Sequence, residues 1–333
     1  MDRPDAPAAS SPEAVAAIEI RGLRKVYRGQ GGRPDKEALA GIDLTVPRGG
    51  FFGLLGPNGA GKSTTINILA GLVTKTAGRC RILGVDIDAR PRLARRLIGV
   101  VPQELNIDAF FTPRETLEYQ AGLYGVPKPR RRTDELLAAL DLADVADAYA
   151  RTLSGGMRRR LLVAKALVHD PPVVILDEPT AGVDVELRRQ LWRYMKELNA
   201  RGTTVVLTTH YLEEAEELCD TIAIVDRGRV VACDRTERLL HRLDEKELTL
   251  RVDPPPADLP PALVRLGFRR LATGELGVRY SRGRTRVDAL LEAVREAGFR
   301  ILDLRTREPD LEEVFLRLVA RDPGLRAGAP AAP

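Results

Sequence analysis

The stretch "GPNGAGKSTT", Gly56 to Thr65, constrains the fold of this chain more than any other. It contains Gly-x-x-x-x-Gly-Lys-Ser, completed by Ser63. The apolar run Phe51 to Leu55 before it predicts a buried strand, and Ile66, Leu69, Ala70 and Leu72–Val73 after it fall at helical spacing. Strand, glycine-rich turn and helix together are the setting in which this motif holds phosphate rather than merely connecting two elements. Gly56, Gly59 and Gly61 let the backbone turn tightly and aim successive N–H groups at phosphate oxygens, helped by the positive end of the following helix. Lys62 supplies a point charge for the β- and γ-phosphates, and Ser63 an oxygen ligand for Mg²⁺. The expected nucleotide contacts are Gly56, Pro57, Asn58, Gly59, Ala60, Gly61, Lys62, Ser63 and Thr64, and the nucleotide is ATP or GTP.

A phosphate loop alone leaves open what the energy is used for. "PPVVILDEPT" narrows the choice. Val173 to Leu176 form a continuous apolar run, as in a strand covered on both faces, and Asp177 and Glu178 follow at its end. Ligands of parallel sheets sit beyond the carboxyl ends of the strands, so both acids project toward the loop. Asp177 is the natural partner of Mg²⁺, while Glu178 points the other way along the pleat and can polarise an attacking water. The strand "TTVVLTTH" ends in His210, one of 3 histidines. That histidine either caps the next helix or, between strands carrying Lys62 and Glu178, contacts the γ-phosphate. Gln103 in "VVPQELN" stands where a strand passes into a loop, and its amide can ligate Mg²⁺ or orient water. Ser154, followed by Gly155 and Gly156, heads a helix whose stripe runs through Met157, Leu161, Ala164 and Val168. It is either an ordinary N-cap or a second anion-binding helix terminus. One loop already serves one nucleotide, so a second terminus suggests service to another subunit's nucleotide.

Length and composition bound the rest. The 333 residues suit one large domain or two ordinary ones, and the formal net charge of +5 is spread among interleaved acids and bases, which gives no footprint for nucleic acid. The basic cluster Lys128 to Arg132 reads as a solvated loop. Cys80, Cys219 and Cys233 are too scattered for a metal pattern or a disulfide framework, which fits a reducing cytosol. No window approaches the ~18 to 20 apolar residues that cross a bilayer.

From residue 18 to about 240 the texture alternates strand and helix, predicting an α/β domain on a largely parallel sheet, with a helical subdomain inserted over about 104–168. A second unit over 245–321 reads strand, helix, strand, helix, strand, helix, which a small ferredoxin-like α+β sandwich would fit. Residues 1–17 and 322–333 read as disordered ends.

Taken together these residues resemble the ATPase subunit of ABC transporters, over roughly Ile18 to Asp234. The resemblance rests on the Walker A loop, the Gln103 loop, "LSGG" at Leu153 to Gly156, Walker B "VVILDEP", the "AGVD" loop ending at Asp184, and His210, in the family's order. It implies a P-loop NTPase fold, ATP with Mg²⁺, and Tyr27 stacked on adenine. Ser63, Gln103 and Asp177 would hold the metal, Glu178 would act as general base, and His210 would sense the γ-phosphate. It also implies two copies facing head to tail, each ATP lying between one loop and the partner's Ser154 to Gly156. A separate transmembrane permease would dock on the helical subdomain and the Gln103 loop, holding the chain on the inner face of the membrane. Where the family commonly carries Gln after "LSGG", this chain has Met157, so a side-chain hydrogen bond is lost while backbone contacts survive. "MRRRL", "LTTHYLEEAEELCD" and the final "EPDLEEVFLRLV" look like the branch that exports drugs, lipids or polysaccharides. A soluble relative acting on ribosomes or DNA is the alternative. The single cassette and the lack of a heptad run speak against it. A degenerate, non-hydrolysing cassette is a third reading, opposed by intact Lys62, Asp177, Glu178 and His210.

Overall fold

In a computed structural model of the chain, the described residues are 15–319, except 30, 32–33, 181–183, 242–244, 257, 282–284 and 308–310. The chain divides into two compact units, Met1–Cys233 and Asp234–Pro333.

The first unit is organised around a six-stranded sheet. Its strand order is Arg229–Arg235, Thr221–Asp226, Phe51–Leu55, Thr204–Thr209, Val173–Asp177, Ile98–Val101. Phe51–Leu55 pairs in parallel with both neighbours, and Val173–Asp177 does the same with Thr204–Thr209 and Ile98–Val101. Phe51–Leu55, Val173–Asp177 and Thr204–Thr209 are buried at every position. That is the burial a parallel strand covered on both faces requires, and it explains their unbroken aliphatic runs.

A wholly alternating, largely parallel arrangement does not extend through the first unit. Ile18–Tyr27, Lys36–Val46, Ala77–Ile82 and Val85–Asp86 form a separate antiparallel sheet of four strands. The reason is visible in their burial. Ile18, Ile20 and Leu23 face the core while Glu19, Arg21 and Arg24 face outward, the half-buried pattern of an antiparallel sheet with one wet face. Order also begins earlier than the expected lead-in of 1–17 allows. Ala17 is fully buried, its N–H donates to the Val46 carbonyl at 2.9 Å, and its own carbonyl accepts from Leu83. The remainder of that lead-in, residues 1–14, and the expected tail lie outside the described residues.

Between Gln103 and Val168 the described elements are all helical: Pro113–Leu123, Thr133–Ala139, Gly155–Leu167 and three short 3-10 turns. Thr112 and Glu115 form a reciprocal capping box at the first of these, with Pro113 as its first residue. In Gly155–Leu167 burial is wider than one stripe: Leu161 to Ala164 are all buried, while Met157 is half-exposed.

In the second unit the strands are Glu245–Asp253, Arg269–Arg270, Leu276–Ser281 and Arg300–Arg307. They form an antiparallel sheet with Leu276–Ser281 and Glu245–Asp253 at its centre. Three strands were expected. The fourth, Arg269–Arg270, is two exposed arginines on an edge, too short and too polar to carry an alternation. With helices Pro261–Arg265 and Val287–Glu296 the order becomes β-α-β-β-α-β, closed by Leu311–Val319. Leu248, Leu250, Leu263, Leu276, Val278, Leu290 and Val294 form its core.

Candidate functional site

The site is built at the carboxyl ends of the buried parallel strands. Phe51–Leu55 runs into the turn Gly56 to Gly61, and the helix Lys62–Leu69 starts at once. Two glycines of this turn have no substitute. A Cβ on Gly56 would lie 2.2 Å from the Val225 carbonyl oxygen. Gly61 has φ +112, and a Cβ there would meet Leu39 Cδ2 at 2.6 Å. Pro57, Asn58 and Gly59 are exposed at the loop crest, Ala60 and Gly61 are buried beneath it, and Thr64 is half-buried in the first helical turn. The helix is shorter than the apolar spacing predicts. It ends at Leu69, the N–H groups of Leu72 and Val73 fold back onto the Asn67 carbonyl, and Leu72 is left 75% exposed.

Lys62 is buried inside the loop, and its Nζ donates to the Gly56 carbonyl at 2.7 Å and the Pro57 carbonyl at 3.2 Å. Burial lowers the pKa of this ammonium below the usual lysine value, opposed by the charges of Glu178 and Asp177.

Across from the loop, Ser63 Oγ donates to Asp177 Oδ1 at 3.5 Å, and Thr208 Oγ1 donates to the same oxygen at 2.5 Å. Thr208 was missed by sequence reasoning. It lies in register with Asp177, but it is one of three threonines in the strand Thr204–Thr209, where threonine reads as an ordinary strand former. Glu178 comes next and leaves the strand with φ +48, a left-handed conformation that costs a non-glycine residue about 1–3 kcal/mol. Its N–H donates to the Thr208 carbonyl at 3.0 Å, which helps hold that conformation. The strained residue turns its carboxylate toward two others. Gln103 Nε2 donates to Glu178 Oε2 at 3.1 Å, and His210 Nδ1 lies 3.3 Å from the same oxygen. His210, just beyond Thr204–Thr209, lies against Tyr211 with ring centroids 4.1 Å apart and planes tilted by 35°.

Gln103 is held from behind. Arg159, in the helix Gly155–Leu167, is 5% exposed, and its Nη1 donates to the Pro102 carbonyl at 3.0 Å. Sequence reasoning overlooked it, because the middle of "RRR" reads as a solvated charge. Lys62, Ser63, Gln103, Asp177, Glu178 and His210 therefore converge on one rim.

The other expected residues stand apart from that cluster. Tyr27 is 39% exposed, with Lys25 Nζ 4.7 Å from its ring centroid. Ser154 is the N-cap of its helix, its Oγ accepting from Met157 N at 3.2 Å, and Ser154 and Gly155 are exposed with Gly156 half-buried. Asp184 is exposed at the head of Val185–Ala200, its carbonyl accepting from Arg188 N. Ala181 to Val183 of the "AGVD" loop lie outside the described residues.

Among the described residues no group of three or more His, Cys, Asp or Glu could hold a metal ion. The Asp177 carboxylate beside the Ser63 hydroxyl is instead a pair that suits Mg²⁺, which keeps waters and takes phosphate oxygens as its remaining ligands.

Known proteins bear on this geometry. A family model described as ABC transporter matches residues 39–181. A Nod factor export ATP-binding protein I of Ralstonia nicotianae is 39% identical over 312 residues, covering 92% of this chain and 94% of that protein. The daunorubicin/doxorubicin resistance ATP-binding protein DrrA of Streptomyces peucetius is 40% identical over 321 residues, covering 92% and 93%. Among solved structures, an ATP-binding subunit of an ABC transporter superposes with TM-score 0.62 at 30% identity, over 68% of this chain and 92% of that one. A dimeric ATP-binding cassette in a post-hydrolysis state with ADP and Pi gives 0.59 at 27% identity, over 66% and 98%.

Proposed function

This chain belongs to the ABC transporter family, as an ATP-binding, ATP-hydrolysing subunit of the export type, and we propose that two copies close on ATP to drive a separate transmembrane permease. The observation that carries the catalytic part of this reading is the meeting of Gln103 Nε2 and His210 Nδ1 on one oxygen of Glu178, opposite Lys62 and Ser63.

Glu178 is the general base. Its carboxylate takes a proton from water as the water oxygen attacks the γ-phosphorus, and the bond to the bridging oxygen breaks to release ADP. Lys62 exchanges its two loop carbonyls for β- and γ-phosphate oxygens. With Nδ1 turned to Glu178, Nε2 of His210 is the ring nitrogen left to meet the γ-phosphate. The Ser63 hydroxyl, the Asp177 carboxylate fixed by Thr208, and the Gln103 amide oxygen would hold Mg²⁺, which neutralises charge on the phosphates. Tyr27 stacks on adenine. Ser154, Gly155 and Gly156 of one copy, with Asp184, close over the ATP of the other. Supporting the pairing is the exposure of Ser154, Gly155 and Asp184, the first two at a helix start.

No helix among the described residues is long and apolar enough to cross a membrane. In this reading the permease is a separate chain, which holds this one on the cytoplasmic face of the membrane. A groove of about 500 Å³ beside the Gln103 loop supports the docking site. Leu72, Arg95, Pro102, Asn106, Gln120 and Tyr124 are among the residues lining it. Tyr119 and Leu123 on the helix Pro113–Leu123, and Phe110 in the turn before it, are 61% or more exposed, more apolar surface than a free face needs. We propose a drug-, lipid- or polysaccharide-like cargo; the relatives named for Nod factor export and for daunorubicin/doxorubicin resistance support export.

The test is Glu178→Gln. The variant is expected to bind ATP, lose hydrolysis by roughly 10²- to 10⁴-fold, and accumulate as an ATP-bound dimer by light scattering. Turnover at the wild-type rate would reject the base assignment.

A further inference from the structure

Four residues past His210, Glu214 is 1% exposed in the helix Leu212–Leu218, whose other glutamates, Glu213, Glu216 and Glu217, all face solvent. A buried carboxylate is costly unless its oxygens are bonded and its charge is met. Here both oxygens are used. Thr180 Oγ1 donates to Oε1 at 2.5 Å, and Thr209 Oγ1 donates to Oε2 at 2.9 Å. The two threonines are themselves 1% exposed. Arg188 Nε stands 3.7 Å from Oε1, and its guanidinium lies over the Tyr211 ring at 5.5 Å. Tyr211 N in turn donates to Thr209 Oγ1 at 2.9 Å.

The placement of these threonines gives the carboxylate a task. Thr180 is two residues after Glu178, and Thr209 is one residue before His210. The strands carrying these segments pair only as far as Asp177 and Thr208. Beyond that point Glu178 has left the strand with φ +48, and the bond from its N–H to the Thr208 carbonyl is the last backbone tie between the two segments that the structure gives. Glu214 begins where the ladder stops.

We propose that Glu214 is a positioning residue for ATP hydrolysis. One carboxylate ties the turn after Glu178 to the strand end before His210, and so maintains the 3.3 Å approach of His210 Nδ1 to Glu178 Oε2. Through Arg188 it also reaches the helix that begins just after Asp184. The inference rests on Glu178 being the base.

The experiment compares full-length wild type with Glu214→Gln, Glu214→Asp, Thr209→Val and Glu178→Gln, measuring equilibrium ATP binding and steady-state hydrolysis with Mg²⁺. Glu214→Gln and Thr209→Val are expected to lower kcat roughly 10- to 100-fold, the scale of a small misplacement of reacting groups, with ATP binding within about threefold of wild type. Glu214→Asp should recover part of the loss. The double variant Glu214→Gln/Thr209→Val should be no slower than the slower single variant, because both cut the same tie.

Wild-type turnover by Glu214→Gln and Thr209→Val beside an inactive Glu178→Gln would overturn the positioning role alone. Equal losses in binding and in hydrolysis would overturn it too, as damage to the fold. Wild-type turnover by Glu178→Gln would remove the base, and the positioning role with it. Should the Glu214 variants fail to fold, Thr209→Val keeps the buried carboxylate and decides the question by itself.

Discussion

The two units of this chain bury different things. In the first, the interior near the strand ends holds Lys62, Asp177, Glu178, Thr180, Thr208, Thr209 and Glu214, each 8% exposed or less. In the second, the described core is Leu248, Leu250, Val252, Leu276, Val278 and their apolar neighbours, and Thr236 is the buried polar residue recorded there. Its charges lie outside, on strands such as Arg300–Arg307. Buried polar groups lower stability unless every one is bonded, so their concentration at one rim marks where the fold is spent on chemistry. The described core of the second unit is spent on packing.

Perturbing one unit at a time sharpens that contrast. Leu250→Ala removes a fully buried side chain from the central strand of the second unit and should lower its stability by about 2–5 kcal/mol. Denaturant unfolding reads that loss. ATP affinity should stay unchanged, and a parallel loss of ATP binding would break the separation of roles. Lys62→Ala should do the reverse, weakening ATP binding about 10- to 100-fold as a charge-assisted phosphate contact disappears. Calorimetric titration checks it, and the unfolding of the second unit should not move. The smallest effect is expected from Thr112→Ala. It removes half of the capping box on Pro113–Leu123 and should cost about 1 kcal/mol, with hydrolysis by the isolated chain unaffected.

Much of the candidate site was legible because its residues break local rules conspicuously. A Lys-Ser pair after spaced glycines, two acids after four aliphatics and a histidine closing a core strand all interrupt a hydrophobic pattern at a strand end. Thr208 does not interrupt it, since threonine is an ordinary strand former. Arg159 and Glu214 sit in charge-rich helices where a solvated face is the usual reading. Glu214 nevertheless had a signal: with Ala215 and Leu218 it falls on the inner face of its helix, the spacing at which a charge must be accounted for. In the fold, the parallel core strands announced themselves by burial on both faces. The antiparallel sheet from Ile18 to Asp86 did not, because its half-wet strands pair with partners set by long-range register. Arg269–Arg270 is too short for any period to show.

The most direct measurement is recovery of tagged Glu178→Gln protein, with ATP, from mildly solubilised native membranes, followed by mass spectrometry. The expected result is a polytopic membrane protein that copurifies stoichiometrically and is lost when Leu72→Asp is introduced into the groove beside the Gln103 loop. Recovery of ribosomal or DNA-associated proteins without such a permease would contradict the account, and the ATP site would then belong to a machine that works away from the membrane.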